Sequence, residues 1–199
     1  MTTSSSGARR QKTVDQSELD SLTGALTRQS FFLRLKEQAV LADSAGIPFS
    51  MCLADADQLK NINHLHGQRA GDDVLAQVTR RLRLALADTI PVTQEALLAR
   101  YDGNGFALLI PHCHLEHASS IAENCRRAVR ASEFGKGVRV TISVGVSQYR
   151  LWESAEKTLE RAEQALYLAK QFGRDCVEVA ASPKSSTARA DVIPLRRPA

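Results

Sequence analysis

Residues 17–180 predict an α+β domain: a mainly antiparallel sheet of about five strands flanked by helices. Three observations carry this. The apolar period switches repeatedly between about 3.6 and about 2 residues along the stretch. Two short apolar runs flank Asp102-Gly103-Asn104-Gly105, a tight hairpin sequence. The whole chain, at 199 residues with 43% hydrophobic and 24% charged residues, has the length and composition of one globular domain with tails.

The elements follow in order. Thr27 can cap a helix running to about Ser44, with Phe31, Leu35 and Ala39 on one face and Gly46 beyond its end. Phe49 to Ala54 reads as a short buried strand that closes on Asp55-Ala56-Asp57, and a short helix follows around Gln58–Asn63. A long helix from about Gly71 to Ala87 carries the stripe Val74, Leu75, Val78, Leu82, Ala85 and Leu86 at three-four spacing. Leu97–Tyr101 and Phe106–Ile110 are the hairpin strands, joined by residues that tolerate the positive φ of a tight turn. A helix over about Leu115–Ala131 leads to a strand over Val138–Ser147, where valines and Ile142 alternate. A helix over about Ala155–Gln171, stopped by Gly173, and a strand over Cys176–Val179 complete the domain.

Composition excludes several functions. The longest apolar runs, such as Phe106–Ile110, fall far short of the roughly 18 residues of a membrane span. Residues 1–19 lack the apolar region of a signal peptide. Arg9, Arg10 and Lys12 against Asp15 and Glu18, with Lys184, Arg189, Arg196 and Arg197 against Asp191, account for the whole net charge of +4. A neutral domain between basic tails argues against nucleic acid as partner. Residues 1–16 and 181–199, rich in Ser and Thr and basic, are expected to be disordered. Cys52, Cys113, Cys125 and Cys176 form no Cys-x-x-Cys pair, so a reduced, cytoplasmic chain is expected, with Cys52 and Cys176, inside apolar strand-like runs, as buried inert thiols. His112, Cys113, His114 and His117 crowd one segment, but an extended strand end points His112 and Cys113 apart, so a polar loop entering a helix is expected there and not zinc.

Six motifs stand in a telling order: Asp20-Ser21-Leu22-Thr23-Gly24; Asp55-Ala56-Asp57 through Asn63; Gly71-Asp72-Asp73-Val74-Leu75; Arg100-Tyr101 before the hairpin; Thr141 through Val146; and Ala165-Leu166-Tyr167 through Arg174. On these motifs the chain, from Asp20 to about Val179, resembles the GGDEF domain of diguanylate cyclases. The resemblance implies a GTP site and a cyclase reaction in which two domains meet and each GTP's 3′-hydroxyl attacks the other's α-phosphate, with divalent metal carrying phosphate charge. It implies that Asn63 and Asp72 read guanine, that Lys170 and Arg174, four apart on one helical face, hold phosphate, and that Asp55 is the first magnesium carboxylate. Asp57 matches a structural position more than a ligand.

The hairpin departs from the family's Gly-Gly-Asp/Glu-Glu-Phe. Here Asp102 replaces the first glycine, Gly103 and Phe106 are kept, Asn104 stands for the second metal carboxylate and Gly105 for the glutamate. The resemblance then implies lost turnover, with Asp102 repelling phosphate and only a residual, weak magnesium site at Asp55. The family's inhibitory Arg-x-x-Asp is replaced by Thr93 and Ala96, so tight cyclic di-GMP binding is not expected. Three readings follow. The first is an inactive regulatory or binding module in cyclic di-GMP-related signalling, keeping weak GTP binding or docking on an unidentified protein partner. The second is an active cyclase that tolerates the altered hairpin. The third is a domain that has lost nucleotides altogether.

Overall fold

A computed structural model describes residues 15–91 and 95–180. Its elements are α1 (Arg28–Ala45), β1 (Phe49–Ala56), α2 (Leu59–His66), α3 (Gln68–Thr89), β2 (Leu97–Arg100), β3 (Gly105–Pro111), α4 (Leu115–Arg130), β4 (Ile142–Gln148), α5 (Ala155–Gln171) and β5 (Val177–Val179). The sheet order is β2-β3-β1-β4-β5. β1 lies at its centre, antiparallel to β3 and to β4, and β2 pairs antiparallel with β3. The expected α+β class and five-stranded sheet are both present. β5 joins parallel to β4, which makes the sheet mixed.

Every residue of β1 is buried, because helices cover both faces of the sheet. Alternation splits the strand between two cores. Cys52, Ala54 and Ala56 pack with Phe106, Leu108 and Val144 on the side of α3 and α4. Phe49, Met51 and Leu53 pack with Phe31, Leu35 and Ala162 on the side of α1 and α5. Thr27 caps α1 by accepting from the Ser30 amide at 3.3 Å, and Gly46 ends that helix at φ 65°.

Three boundaries differ from the sequence expectation. Asp15 accepts from Ser17 N and caps a 3-10 turn over Gln16–Glu18, so the folded part begins inside the segment expected to be disordered. The remaining tail positions, 1–14 and 181–199, lie outside the described residues. The strand expected from Val138 starts only at Ile142, the residue opposite Ala56 at the end of β1. Ahead of it Gly135–Gly137 form a 3-10 turn, closed by mutual bonds of Phe134 and Val138. Alternation still turns Val140 inward, but β1 has no further residue to pair with it.

The entry segment covers the β2 edge. Leu26 N donates to Leu98 O and Arg100 N to Leu26 O. Asp20 accepts from the Thr23 amide and hydroxyl and lies 3.5 Å from Arg100 Nη1. Burial pushes its carboxyl up, but the Thr23 bonds and Arg100 outweigh this and hold it below the usual range.

Gly145 in β4 marks where α5 rests on the sheet. A Cβ there would lie 2.2 Å from Leu166 N and 2.3 Å from Ala162 O, both backbone atoms. Gly145→Ala must separate helix from strand and is expected to cost at least about 1–3 kcal/mol. Gly103→Ala, with open space around it, should leave the melting temperature unchanged. Thermal denaturation of the two variants against the parent checks this.

Candidate functional site

The site forms where β1 ends. Antiparallel pairing sets Asp55 opposite Gly105 of β3 and Ser143 of β4, so the strand end meets the hairpin on one side and the start of β4 on the other. Beside it opens a polar cleft of about 680 Å³. All five residues expected to bind nucleotide or metal line it: Asp55, Asn63, Asp72, Lys170 and Arg174.

Asp55 is 8% exposed and both its carboxylate oxygens are engaged. Lys170 Nζ donates to Oδ2 at 2.6 Å and Asn104 Nδ2 to Oδ1 at 2.5 Å. Asn104 Nδ2 also donates to Ala56 O at 3.1 Å, so two acceptors fix which way the amide faces. Burial pushes the Asp55 carboxyl above the usual range. Lys170 pulls it down without cancelling that, and the negative charges of Asp102 and Asp57 add to the rise. This arrangement does not fit a magnesium ion. Magnesium takes oxygen ligands, and here an ammonium and an amide N–H point at the single carboxylate. Among the described residues no three His, Cys, Asp or Glu side chains converge as a metal set.

Asp57 faces inward and ties three segments together. It accepts from Thr141 Oγ1 and Ser143 Oγ, both at 2.7 Å, and from Asp175 N at 3.2 Å. Its two oxygens are occupied by the protein itself.

The hairpin closes differently from the sequence expectation. Among the described residues none from Asp102 to Gly105 has positive φ, so the turn does not use the freedom of Asp-Gly and Asn-Gly. Side chains close it instead. Asp102 Oδ1 accepts from Gly105 N at 2.9 Å, while Arg100 donates from Nε to Asp102 O at 3.1 Å and from Nη2 to Gly103 O at 2.5 Å. The Asp102 carboxylate is thus bonded into its own loop, while its negative charge still reaches Asp55. It also fills the space beside Gly105, where a Cβ would lie 2.3 Å from Asp102 Oδ1. Phe106, fully buried, anchors the start of β3.

On the far wall, Asn63 of α2 packs on Gly71 of α3. Its Oδ1 is buried without a hydrogen-bond partner, and a Cβ on residue 71 would lie 1.8 Å from it. A buried, unmet acceptor beside a cleft is costly. Asp72 is half-buried at the same wall. Lys170 and Arg174 do not share a helical face as their spacing suggested: α5 ends at Gln171, and Arg174 sits in the following turn at φ 66°. The turn nevertheless returns Arg174 to the cleft.

Lys60, Gln68 and Arg100 also line the cleft and were not singled out as binding residues. Lys60 had a readable signal, since it stands three residues before Asn63 and therefore on the same helical face. Arg100 stood in the Arg100-Tyr101 motif before the hairpin, whereas Gln68 had no such signal and is brought there by the chain fold. Of the inhibitory-site pair, Ala96 is half-buried against the core and Thr93 lies outside the described residues. In the His-rich segment His112 adopts φ 52°, Cys113 is buried and His114 sits at the N-cap of α4. Burial raises the Cys113 thiol to about 11.

A mostly antiparallel five-stranded sheet, with a polar cleft where its central strand meets a hairpin, defines an α+β domain of the GGDEF fold. The chain belongs to the GGDEF family: the family described as "Diguanylate cyclase, GGDEF domain" matches residues 17–176. Diguanylate cyclase DgcP of Pseudomonas aeruginosa is 35% identical over 164 residues, covering 81% of this chain and 24% of that protein. Diguanylate cyclase A of Treponema denticola is 34% identical over 173 residues, covering 82% of this chain and 44% of that protein. The chain therefore spans less than half the length of either relative. Among solved structures, the GGDEF domain of DgcB from Caulobacter crescentus, in complex with c-di-GMP, is similar with a TM-score of 0.77 and 26% identity, over 85% of this chain and 99% of that one. No helix among the described residues is long and apolar enough to cross a membrane.

Two predictions follow from the strand end and the hairpin. Lys170→Met leaves Asp55 buried without its cation, and the raised carboxyl rises further. An acid whose folded pKa exceeds the unfolded one stabilises below the unfolded pKa and loses that contribution as pH rises through the folded value. The variant's deficit should therefore be small near pH 4 and grow to about 1.5–3 kcal/mol at pH 7, as chemical denaturation at both pH values would read. Gly105→Glu alone displaces the Asp102 cap and should lower the melting temperature. Adding Asp102→Gly frees the space and should recover part of that loss.

Proposed function

We propose that this domain is a degenerate, catalytically inactive GGDEF domain that serves as a regulatory or binding module in cyclic di-GMP-related signalling and keeps a GTP site of low affinity. One observation carries the reading: the Asp55 carboxylate is closed by Lys170 and by the Asn104 amide, and the hairpin's own carboxylate, Asp102, is bonded to the Gly105 amide. A phosphoryl-transfer site of this family needs metal to carry phosphate charge. Here the strand end has satisfied its own charge instead.

The binding half of the site is better kept. Asn63, from α2, and Asp72, from α3, line the cleft together with Lys170 of α5 and Arg174 of the turn after it. The unmet Asn63 Oδ1 is an acceptor that an N–H of guanine could satisfy once the amide turns from Gly71 to the cleft, and adenine does not offer the same pattern of donors. Lys170 would have to leave Asp55 to reach a phosphate, which lowers affinity. Magnesium should add little, because the one remaining carboxylate is engaged. Output would pass through a protein partner that senses the loaded or empty cleft. The names of the relatives favour the second reading, an active diguanylate cyclase.

The deciding experiment incubates the pure chain with GTP and magnesium, follows cyclic di-GMP, and in parallel titrates GTP and ATP by fluorescence. No product is expected. GTP should bind at least about tenfold more tightly than ATP, from base donors and acceptors worth about 1–3 kcal/mol each when left unmet. Asp72→Ala should erase that preference, and cyclic di-GMP itself should not bind at micromolar concentration. Sustained cyclic di-GMP synthesis would establish the cyclase reading. Equal, weak binding of both nucleotides, unmoved by Asp72→Ala, would leave a domain that works through its protein surface alone.

A further inference from the structure

After α5 the backbone makes an unusual turn. Gly173, Arg174 and Asp175 have φ of 111°, 66° and 47° in succession. Glycine adopts this region freely and Asp tolerates it, but for arginine it is disfavoured. The backbone itself provides little restraint: Arg174 N reaches back to Ala169 O at 3.1 Å, and Asp175 N reaches Asp57 Oδ2 at 3.2 Å.

The remaining restraint comes from another helix. Arg126 and Arg130, one turn apart on α4, grip the two oxygens of the Asp175 carboxylate at 2.5 and 2.6 Å. Arg126 is in turn held by Glu123, which accepts from its Nε and its Nη2, both at 2.7 Å. The Arg126 side chain is 12% exposed, so this pair is far less open to solvent than an ordinary surface bridge. The Arg126 bonds, the largest influence, with help from Arg127, hold the Glu123 carboxyl down at about 2. None of these groups lines the cleft, yet the residue next to Asp175 does.

We infer that Asp175 is a positioning residue: locked by Arg126 and Arg130 from α4 and by Asp57 from the end of β1, it holds the left-handed turn that aims Arg174 at the phosphates of a nucleotide in the cleft. This deepens the proposed guanine-nucleotide reading and rests on it. Each Asp175 oxygen takes one charge-assisted bond, Oδ1 from Arg126 and Oδ2 from Arg130, so the two arginines together set a direction as well as a distance. The ligand class it serves is a nucleoside polyphosphate, since a nucleoside without phosphates gains nothing from Arg174.

The test uses the full chain and compares GTP with guanosine as probes. Asp175→Asn keeps the left-handed backbone accessible but removes the charge. It should weaken GTP binding about tenfold and leave guanosine unchanged. In an Arg174→Ala background the same substitution should cause no further loss, because its effect passes through that arginine. Asp175→Gly, which suits the backbone better still, should melt no lower than Asp175→Asn and yet fail to restore the contrast between GTP and guanosine. Backbone amides 174–176 should exchange faster with solvent in both variants. An unchanged GTP-to-guanosine ratio in Asp175→Asn, or an equal loss with and without Arg174, overturns the positioning role while the nucleotide site stands. A parent chain that binds neither probe overturns the nucleotide reading and this role with it.

Discussion

Burial of β1 on both faces is the constraint on which the rest of the domain depends. A strand with no solvent face can carry polar groups only where it ends, and each must be met by the protein. Asp55 and Asp57 stand at that end. Asp57 is met by Thr141, Ser143 and the Asp175 amide, which joins β1 to β4 and to the turn after α5. Asp55 is met by Lys170 and Asn104, which joins β1 to α5 and to the hairpin. The cleft takes its shape from the segments these two carboxylates draw together.

Three hairpin residues, Asp102, Asn104 and Gly105, read as independent departures from a family pattern, but the structure couples them. Asp102 bonds the Gly105 amide and occupies the place of a side chain at 105, so an acid at 102 and a glycine at 105 belong together. Asn104 can donate to Asp55 only because it is an amide. In its place a carboxylate would meet a second one without a cation of higher charge between them. Loss of the family's acids and gain of new contacts are the same set of substitutions.

The sequence announces most of the fold. The helix stripes, the Thr27 cap, the alternation in β4 and the glycine after α1 all act over a few residues, and local rules read such signals well. It also names the residues of the cleft, because the motifs that carry them are short and ordered. What it misses depends on partners far along the chain. The direction of Asp102 follows from the register of β3, and the start of β4 follows from the length of β1. The parallel pairing of β5 follows from where α5 ends. Arg174 looks helical at four residues from Lys170, yet Gly173 ends the helix before it, and the contacts of Asp175 with Arg126 and Arg130 in the turn that follows come from a distant helix. Asn104 gives no hint, as a residue type, that its amide will face a carboxylate.

The Lys170–Asp55 contact has a bearing on the supply of ions. A site that borrows a divalent cation is neutralised only while the surroundings provide one, and a chelator can empty it. Lys170 is tethered to the same chain, so its effective concentration at Asp55 does not vary with the medium. Partial burial also shields the contact from dissolved salt. While that contact holds, Asp55 is neutralised from within the chain and not by a borrowed ion.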